Sequence, residues 1–252
     1  MRLFSDVHGG IEPLRKLSRA GGPVLILGDL INLIDYRSWS GILPDVCGVE
    51  FVREMSDLRI AGRMAELKNR WDDLRSGREE ELDAAFGAAY QDAYTAIGSA
   101  LKGLEGYVTF GNVDRVDLLR ECLPDGLVFV SAGTVEVDGY KVGIVGGGTR
   151  RTGAPGELVE GEMKQRLAVL GPVDILCTHV PPLVPALATD VVAGSGKGSA
   201  AVLDYIEEHQ PGYHYFGDVH QPRATTWDVG RTRCHNVGFF RATGRTVDHE
   251  PR

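Results

Sequence analysis

The chain has 252 residues, of which 43% are hydrophobic and 25% are charged, and its formal net charge is -8. This composition is typical of a globular protein and excludes an extended disordered chain. The acidic balance argues against a nucleic-acid-binding surface, which is usually basic. No apolar run approaches the roughly 20 residues that a membrane-spanning helix needs, so no membrane partner is expected.

The four cysteines are scattered and form no closely spaced pair: Cys47, Cys122, Cys177 and Cys234. This spacing predicts neither a zinc knuckle nor a disulfide framework. Unpaired thiols are typical of a reducing compartment. The first predicted strand begins within two residues of Met1, which leaves no room for a signal peptide before it. These features together predict a soluble cytoplasmic protein.

The predicted elements begin with a strand, a helix and a second strand in residues 1–34. Ile11, Leu14 and Leu17 have helical spacing and follow a Gly-Gly turn. The two strands are apolar runs with few alternating polar residues, a pattern typical of strands that are buried on both faces of a sheet.

From residue 35 to residue 106, apolar residues recur at steps of three and four, which is the spacing of amphipathic helices. The pattern predicts two helices, over 60–74 and 82–104, joined by a tight turn at Ser76 and Gly77. We interpret 35–106 as a helical insertion within a single domain that spans 1–252. The insertion is either a packed face that only adds stability, or a cap over a site or an interface between copies of a homo-oligomer.

Residues 107–252 return to strands. A hairpin is predicted at Asp138-Gly139, because this dipeptide between two apolar runs is a strong two-residue turn signal. Helices are predicted over 158–170 and 200–209, the second with Ser199 as its N-terminal cap. Strands at 225–227 and 232–236 close the domain. Strands that alternate with helices in this way predict an α/β fold.

Five short apolar runs are each followed directly by polar residues of types that bind metal ions. The motifs are Asp6-Val7-His8, Gly28-Asp29, Gly111-Asn112-Val113-Asp114, Thr178-His179 and Gly217-Asp218-Val219-His220. Taken alone, a Gly-Asp after a strand is more often a turn, Gly-Asn is a common turn dipeptide, and a single histidine such as His179 can be a structural core residue. Five of them in one chain favour a shared site at the ends of neighbouring strands.

The residue types in these motifs suit divalent ions. Residues two apart in a strand face the same side, so Asp6 and His8 form one carboxylate–imidazole pair. Asp218 and His220 form another. Carboxylate oxygen and imidazole nitrogen are ligands for Mn²⁺, Fe and Zn²⁺. A carboxylate such as Asp29 can bridge two ions about 3.5–4 Å apart, the spacing used for displacement at phosphorus.

The order of the motifs resembles that of the calcineurin-like metallophosphoesterases, whose pattern runs D-x-H, G-D-x-x-D, G-N-H-[DE], a later single His and G-H-x-H. The resemblance covers residues 6–220 outside the helical insertion. It implies a four-layer α/β/β/α sandwich with a site at the strand ends. It also implies a small phosphate-ester substrate, a phosphodiester or phosphomonoester, which is hydrolysed by a hydroxide that bridges two divalent ions.

Carried over position by position, the resemblance implies two sets of metal ligands. The first set consists of Asp6, His8, Asp29 and His220, and the second of Asp29, Asn112, His179 and Asp218. The catalytic group would comprise Asp29, Asn112 and Asp114. In the family, the residue after the Asn is a His that assists the leaving group, and Asp114 corresponds to the acidic residue that orients it.

Three positions depart from the family pattern. Asn32 stands where the family has a second, supporting carboxylate. Val113 replaces the His that assists the leaving group, so we expect leaving groups of high pKa to be disfavoured. Asp218 replaces a His, and this harder ligand favours Mn²⁺, Mg²⁺ or Fe over Zn²⁺, with Mn²⁺ the preferred ion. Either Asp218 still binds the second ion, or it turns away to a backbone amide and that ion is lost.

Two arginines are candidates for binding the substrate phosphate, because a guanidinium can contact two phosphate oxygens at once. Arg115 directly follows the Asn112 motif. Arg150 follows three glycines and a threonine after a predicted strand. Each arginine can equally be a solvated surface side chain.

The sequence therefore predicts a cytoplasmic, metal-dependent phosphoric ester hydrolase. The alternative is a catalytically weak or inactive protein of the same fold that acts as an interaction scaffold through its helical insertion. Asn32, Val113 and Asp218 favour the alternative. A suitable ligand at all seven metal positions favours the hydrolase.

Overall fold

The structure, a computed structural model, describes residues 1–17, 22–192 and 195–250. It contains two large, mostly parallel sheets flanked by helices, so the expected α/β sandwich is confirmed. The chain divides into two compact units, one formed by Met1–Ile31 with Ala96–Arg252 and the other by Asn32–Thr95. None of the helices in the described ranges combines the length and apolar character that crossing a bilayer requires.

The strands are β1 (Arg2–Phe4), β2 (Val24–Leu27), β3 (Gly106–Thr109), β4 (Leu127–Phe129), β5 (Ala132–Val137), β6 (Tyr140–Val145), β7 (Gly148–Thr149), β8 (Glu157–Leu158), β9 (Ile175–Thr178), β10 (Thr189–Asp190), β11 (Ser195–Gly196), β12 (Tyr213–Phe216), β13 (Thr226–Val229), β14 (Thr232–Asn236) and β15 (Val247–Asp248). The helices are α1 (Ile11–Leu17), α2 (Ile42–Cys47), α3 (Val49–Ile60), α4 (Met64–Arg75), α5 (Glu79–Ala100), α6 (Val116–Cys122), α7 (Glu160–Ala168), α8 (Pro185–Ala188), α9 (Ala200–His209) and α10 (Phe240–Thr243).

The first sheet has the order β15-β1-β2-β3-β4, in which β1 to β4 are parallel. The second has the order β13-β14-β12-β9-β6-β5, with β14, β12, β9 and β6 parallel. Parallel strands end at the same edge of their sheet, so the residues after β1, β2 and β3 are neighbours. The residues after β9 and β12 are neighbours for the same reason.

The two sheets pack face to face through apolar side chains. Leu3, Leu25 and Leu27 of the first sheet share one buried cluster with Ile144 and Ile175 of the second. The other face of the second sheet packs on α7 and α9. Both sheets are therefore covered, which explains why their central strands read as continuous apolar runs.

Several local predictions are confirmed. Val137 pairs with Tyr140 across the two-residue turn at Asp138-Gly139. Both turn residues have positive φ, 52° and 81°, as a type I′ turn requires. Ser199 caps α9 by accepting a hydrogen bond from the Val202 N–H at 3.3 Å.

The Asn32–Thr95 unit differs from the two-helix prediction, because it contains α2, α3, α4 and most of α5. The pattern across 60–74 suggested one helix, but Gly62 has φ 72° and separates α3 from α4. Ile60 and Met64 are 83% and 54% exposed, so their spacing does not mark a buried face. The insertion at 35–106 as part of a single domain, and its role as a cap or interface, stay predictions.

A buried histidine in β12 makes the stability of the sheet sensitive to acid. The His214 ring nitrogen Nε2 lies 2.8 Å from the Thr178 hydroxyl, which itself donates to the Val180 carbonyl. Nε2 therefore carries the proton and donates. Burial lowers the pKa of His214 to about 3, so the folded protein keeps this ring neutral.

We predict that acid destabilises the protein through His214. The unfolded chain binds a proton here below pH about 6.5 and the folded chain does not, so stability is lost as the pH falls from about 6.5 towards 3. Between pH 7 and pH 5 this group should remove about 2 kcal/mol from the free energy of unfolding. His214→Gln keeps an N–H donor for Thr178 without titrating. Urea unfolding of the metal-free wild type and variant at pH 7 and pH 5 measures the change. The free energy of unfolding should fall less in the variant, by that amount, and equal falls would contradict the neutral state assigned to His214.

Candidate metal centre

The polar motifs meet at the ends of five strands, three in the first sheet and two in the second. Asp6 and His8 follow β1, Asp29 follows β2, and Asn112 follows β3. His179 comes directly after β9, and His220 follows β12. The polar residues are thus carried on separate loops, while the strands beneath them are fixed by sheet hydrogen bonds.

The backbone at these loops is conformationally strained. Asp6, His8, Asp29 and Asp218 have φ values of 60°, 40°, 54° and 64°, in the left-handed region. Of the seven non-glycine residues with positive φ in the described part of the chain, these are four. Such conformations cost about 1–3 kcal/mol each and cluster at functional sites. The surrounding fold therefore holds these side chains in place at the expense of local stability.

One group of side chains consists of Asp6, His8 and His220. The Nε2 atoms of His8 and His220 lie 3.2 Å apart. The Asp6 Oδ1 atom is 3.2 Å from His220 Nε2 and 3.8 Å from His8 Nε2. The ligand atoms of all three residues lie within 4.8 Å of one another, a spacing that allows one ion to contact each of them.

A second group consists of Asp6, Asp29 and His179, with Asn112 beside it. The His179 Nε2 atom is 3.5 Å from Asp29 Oδ1 and 3.2 Å from Asn112 Oδ1. The other carboxylate oxygen of Asp29, Oδ2, is 3.6 Å from His8 Nε2. Asp29 therefore turns one oxygen towards each group, as a bridging carboxylate would.

The tautomers of two histidines follow from their contacts with carbonyl oxygens. The Nδ1 atom of His179 is 2.8 Å from the Leu27 carbonyl, and that of His8 is 3.3 Å from the Ile31 carbonyl. A carbonyl only accepts, so both Nδ1 atoms carry the proton. Their Nε2 atoms then face carboxylate and amide oxygens. Histidines that bind metals are oriented in this way by a carbonyl or carboxylate behind the ring.

The buried carboxylates of Asp6 and Asp29 are ionised and need a neighbouring positive charge. Burial alone would raise the pKa of Asp6 and of Asp29. Hydrogen bonds from His220 and His8 nevertheless hold the pKa of Asp6 well below its usual range. The charge of His179 lowers the pKa of Asp29 to about 2. Burial would lower the pKa of His179, but the Asp29 carboxylate raises it to about 10. Without a metal, protons on the imidazoles supply the positive charge.

These groups fit a divalent ion. When a metal displaces the protons on Nε2, the ring nitrogens and the ionised carboxylate oxygens form a donor set of the kind that binds divalent ions such as Mn²⁺, Fe or Zn²⁺. The Asp and His clusters therefore have the composition and the spacing of a metal site.

The Asp114 carboxylate is bound to backbone N–H groups behind the cluster of candidate metal ligands. Its buried carboxylate accepts hydrogen bonds from the backbone N–H groups of Asp29, Leu30 and Gly111, at 2.8, 3.0 and 2.9 Å. Burial and the nearby Asp29 charge raise the pKa of Asp114 to about 6. Asp114 thus ties the loop after β2 to the loop after β3. These hydrogen bonds hold the backbone at Asp29, and the expected role of Asp114 in orienting the residue at position 113 stays a prediction.

Asp218 lies beside the cluster, but its carboxylate points to Lys197. The Lys197 ammonium donates to Asp218 Oδ1 at 2.7 Å and to the Asp218 carbonyl at 2.8 Å. The Asp218 N–H donates to the Asp6 carboxylate at 3.1 Å. Among the described residues, the converging ligand groups do not include Asp218.

The two arginines expected to bind substrate lie at the surface. Arg115 makes two hydrogen bonds to Asp117, at 2.6 and 3.2 Å, and both side chains are substantially exposed. Arg150 is also exposed. Val113 is only 9% exposed, and its N–H donates to Asp29 Oδ1 at 3.1 Å. Phosphate binding by either arginine stays a prediction.

Some residues around the site carry no motif in the sequence. The Phe239 ring stacks on His220 with centroids 4.1 Å apart and an angle of 6°. The Arg241 guanidinium donates to the His8 carbonyl at 2.9 Å. The Asn236 amide donates to the Val219 carbonyl at 2.8 Å. All three lie at or after the end of β14, and only the fold shows that this segment covers the motif loops.

Comparison with known proteins identifies the fold and leaves the family open. No family model and no curated protein matches the sequence. One solved crystal structure superposes with a TM-score of 0.58 at 16% identity, over 95% of this chain and 90% of its own. The protein TT1561 of Thermus thermophilus superposes with a TM-score of 0.55 at 13% identity, over 98% of this chain and 96% of its own. A novel archaeal phosphodiesterase reaches a TM-score of 0.36 at 11% identity, a score at which no common fold is inferred.

We predict that Asp114→Ala destabilises the protein far more than a surface carboxylate would. The substitution leaves three buried N–H donors without their acceptor. Each such donor costs about 1–3 kcal/mol, so the free energy of unfolding should fall by about 3 kcal/mol or more. The matched control is Asp117→Ala, which removes an exposed carboxylate three residues away. Denaturant unfolding measures both changes, and a loss for Asp114→Ala no larger than that of the control would contradict the role assigned to Asp114.

Proposed function

We propose that this chain is a metal-dependent phosphoric ester hydrolase that acts on a phosphodiester, or on a phosphomonoester with a good leaving group. One observation carries the proposal: imidazole nitrogens and ionised carboxylates converge from loops at five strand ends. The Nδ1–H contacts of His8 and His179 turn their Nε2 atoms inward, where a bound ion would replace the Nε2 protons.

The residues divide into holding and orienting roles. Asp6, His8 and His220 would hold one ion, and Asp29, Asn112 and His179 would offer a second position. When bound, divalent ions lower the pKa of a coordinated water and neutralise charge on the phosphoryl oxygens. The two oxygens of Asp29 face His8 and His179 separately, so this carboxylate would contribute to both positions. The N–H of Val113 and the three contacts of Asp114 fix its orientation.

Val113 limits which esters the site can cleave. Its aliphatic side chain provides no proton for a departing oxygen, and general acid assistance typically contributes about 10²–10⁴-fold to a rate. An aryl oxide or a phosphate leaves without that help, whereas an alkoxide does not. The preferred substrate is therefore an ester whose leaving group has a low pKa.

The ligand set and the surface charge complete the proposal. The ligand set combines oxygen donors from two carboxylates and an amide with three imidazole nitrogens, which suits Mn²⁺, the ion that we propose. Arg115 and Arg150 lie on loops next to the Asn112 motif and after β7, where a phosphate group could recruit them. The proposed substrate is a small phosphate ester, and the formal net charge of -8 disfavours nucleic acid as an alternative. The scattered thiols suit a cytoplasmic location.

We predict that Asp29→Asn abolishes Mn²⁺-dependent hydrolysis of bis(p-nitrophenyl) phosphate. The amide keeps an oxygen for the Val113 N–H but removes the charge that joins the two ligand groups. Activity should fall by about 10³-fold or more, and Mn²⁺ should no longer raise the melting temperature as it does in the wild type. Asp125→Asn, at an exposed turn, is the matched control. Turnover that survives in Asp29→Asn would rule out the joining role.

A second prediction concerns the leaving group. Across a series of phenyl and alkyl phosphodiesters, kcat/KM should fall steeply as the pKa of the leaving group rises, because Val113 supplies no proton. Val113→His should raise the rate on alkyl esters by about tenfold or more and change the aryl rates little. An equal effect on both classes would count against a missing acid at this position.

A further inference from the structure

Lys197 is a largely buried cation near the candidate site. Its side chain is 24% exposed and that of its partner Asp218 is 6% exposed. Lysine is rarely withdrawn from water in this way, because desolvating an ammonium is costly unless it is paired. The ammonium donates to both the carboxylate and the carbonyl of Asp218, at 2.7 and 2.8 Å.

The backbone fixes Lys197 on both sides. Its N–H donates to the Ala188 carbonyl at 2.8 Å, and its carbonyl accepts from the Thr149 hydroxyl at 3.1 Å. Two residues later, the Ser199 N–H donates to the Pro181 carbonyl at 3.0 Å, just after His179. Lys197 is therefore built into the structure, unlike a flexible lysine of the surface.

The ammonium stands next to the ligand groups. Asp218 contacts Lys197 through its side chain and the Asp6 carboxylate through its N–H. The charges of Asp218, Asp29 and Asp6 all contribute to the raised pKa of Lys197, although burial acts in the opposite direction. Lys197 is therefore a fixed positive charge at the edge of the cluster.

We propose that Lys197 removes Asp218 from the ligand set and supplies the positive charge at that corner of the site. This rests on the proposed function. The chain then holds one ion tightly at Asp6, His8 and His220, and its second position is weak. The ammonium serves as a contact for a phosphoryl oxygen of the substrate.

Charge arithmetic supports this division. The Lys197 ammonium cancels the negative charge of Asp218 at this corner of the site. A second divalent ion would therefore gain no attraction from Asp218 and would be repelled by the ammonium. Removing the ammonium releases the Asp218 carboxylate, so the second position should gain both charge and a ligand.

Calorimetric titration of Mn²⁺ into the metal-free protein tests the proposal without an activity assay. The wild type should show one tight site and a second site at least about tenfold weaker. Lys197→Met should tighten the second site by about tenfold or more, the scale on which residues that support a ligand change metal affinity. Lys197→Arg, which keeps the charge, should behave like the wild type. Lys164→Met, at an exposed position of α7, is the matched control and should also match the wild type.

Asp218→Asn provides an independent test if Lys197→Met does not fold. Because Asp218 is not a ligand in this proposal, the affinity of the tight site should change by less than about threefold. A loss of about 10–100-fold, the effect of disturbing a metal site, would overturn the proposal. Two equal sites in the wild type that Lys197→Met leaves unchanged would also overturn it.

The two proposals fail in different ways. If the wild type binds no Mn²⁺ at all, the proposed hydrolase is wrong whatever Lys197 does. If the wild type binds Mn²⁺ and hydrolyses aryl phosphodiesters, but the titration of Lys197→Met superposes on it, only the role of Lys197 is wrong. An increased KM for the aryl diester in Lys197→Met, with Lys164→Met unchanged, would support the contact with the phosphoryl oxygen.

Discussion

The burial of four carboxylates in one small region is the constraint on which the rest of the site depends. Asp6, Asp29, Asp114 and Asp218 are each 5% exposed or less. Buried like charges repel one another and lose their hydration, so each needs its own compensation. Asp114 accepts hydrogen bonds from three backbone N–H groups, and Asp218 forms an ion pair with Lys197. The carboxylates of Asp6 and Asp29 face imidazoles instead, and their charge is the one that a divalent ion would balance.

The loops that carry the candidate metal ligands have strained backbone conformations, which lower the stability of the fold. The parallel strands beneath are stabilised by continuous apolar packing, and this allows the strained backbone at Asp6, His8, Asp29 and Asp218 to persist. The covering segment around Phe239 and Arg241 adds direct contacts to His220 and His8. The rigid sheets thus hold a cluster that would not assemble by itself. A cation bound to this cluster would also contribute to the stability of the fold.

The sequence predicts those features that depend on local pattern. The strands after which Asp6 and Asp29 lie, the turn at Asp138-Gly139 and the cap at Ser199 all follow from apolar runs and turn chemistry, and all are confirmed. The sequence predicts the helices of Asn32–Thr95 less well. The helical spacing of apolar residues continues across Gly62, but the helical backbone is interrupted there between α3 and α4. Lys197 could not be predicted as part of the site. It lies 21 residues before Asp218 in a glycine-rich loop, and only the path of the chain through β11 brings the two together.

The most direct test of the metal centre is anomalous X-ray diffraction at the manganese absorption edge, from crystals equilibrated with Mn²⁺. The account predicts a strong anomalous peak within coordination distance of Asp6, His8 and His220. Any second peak should lie at Asp29, Asn112 and His179, and should be weaker. Strong peaks only at exposed carboxylates, with none between His8 and His220, would contradict the account.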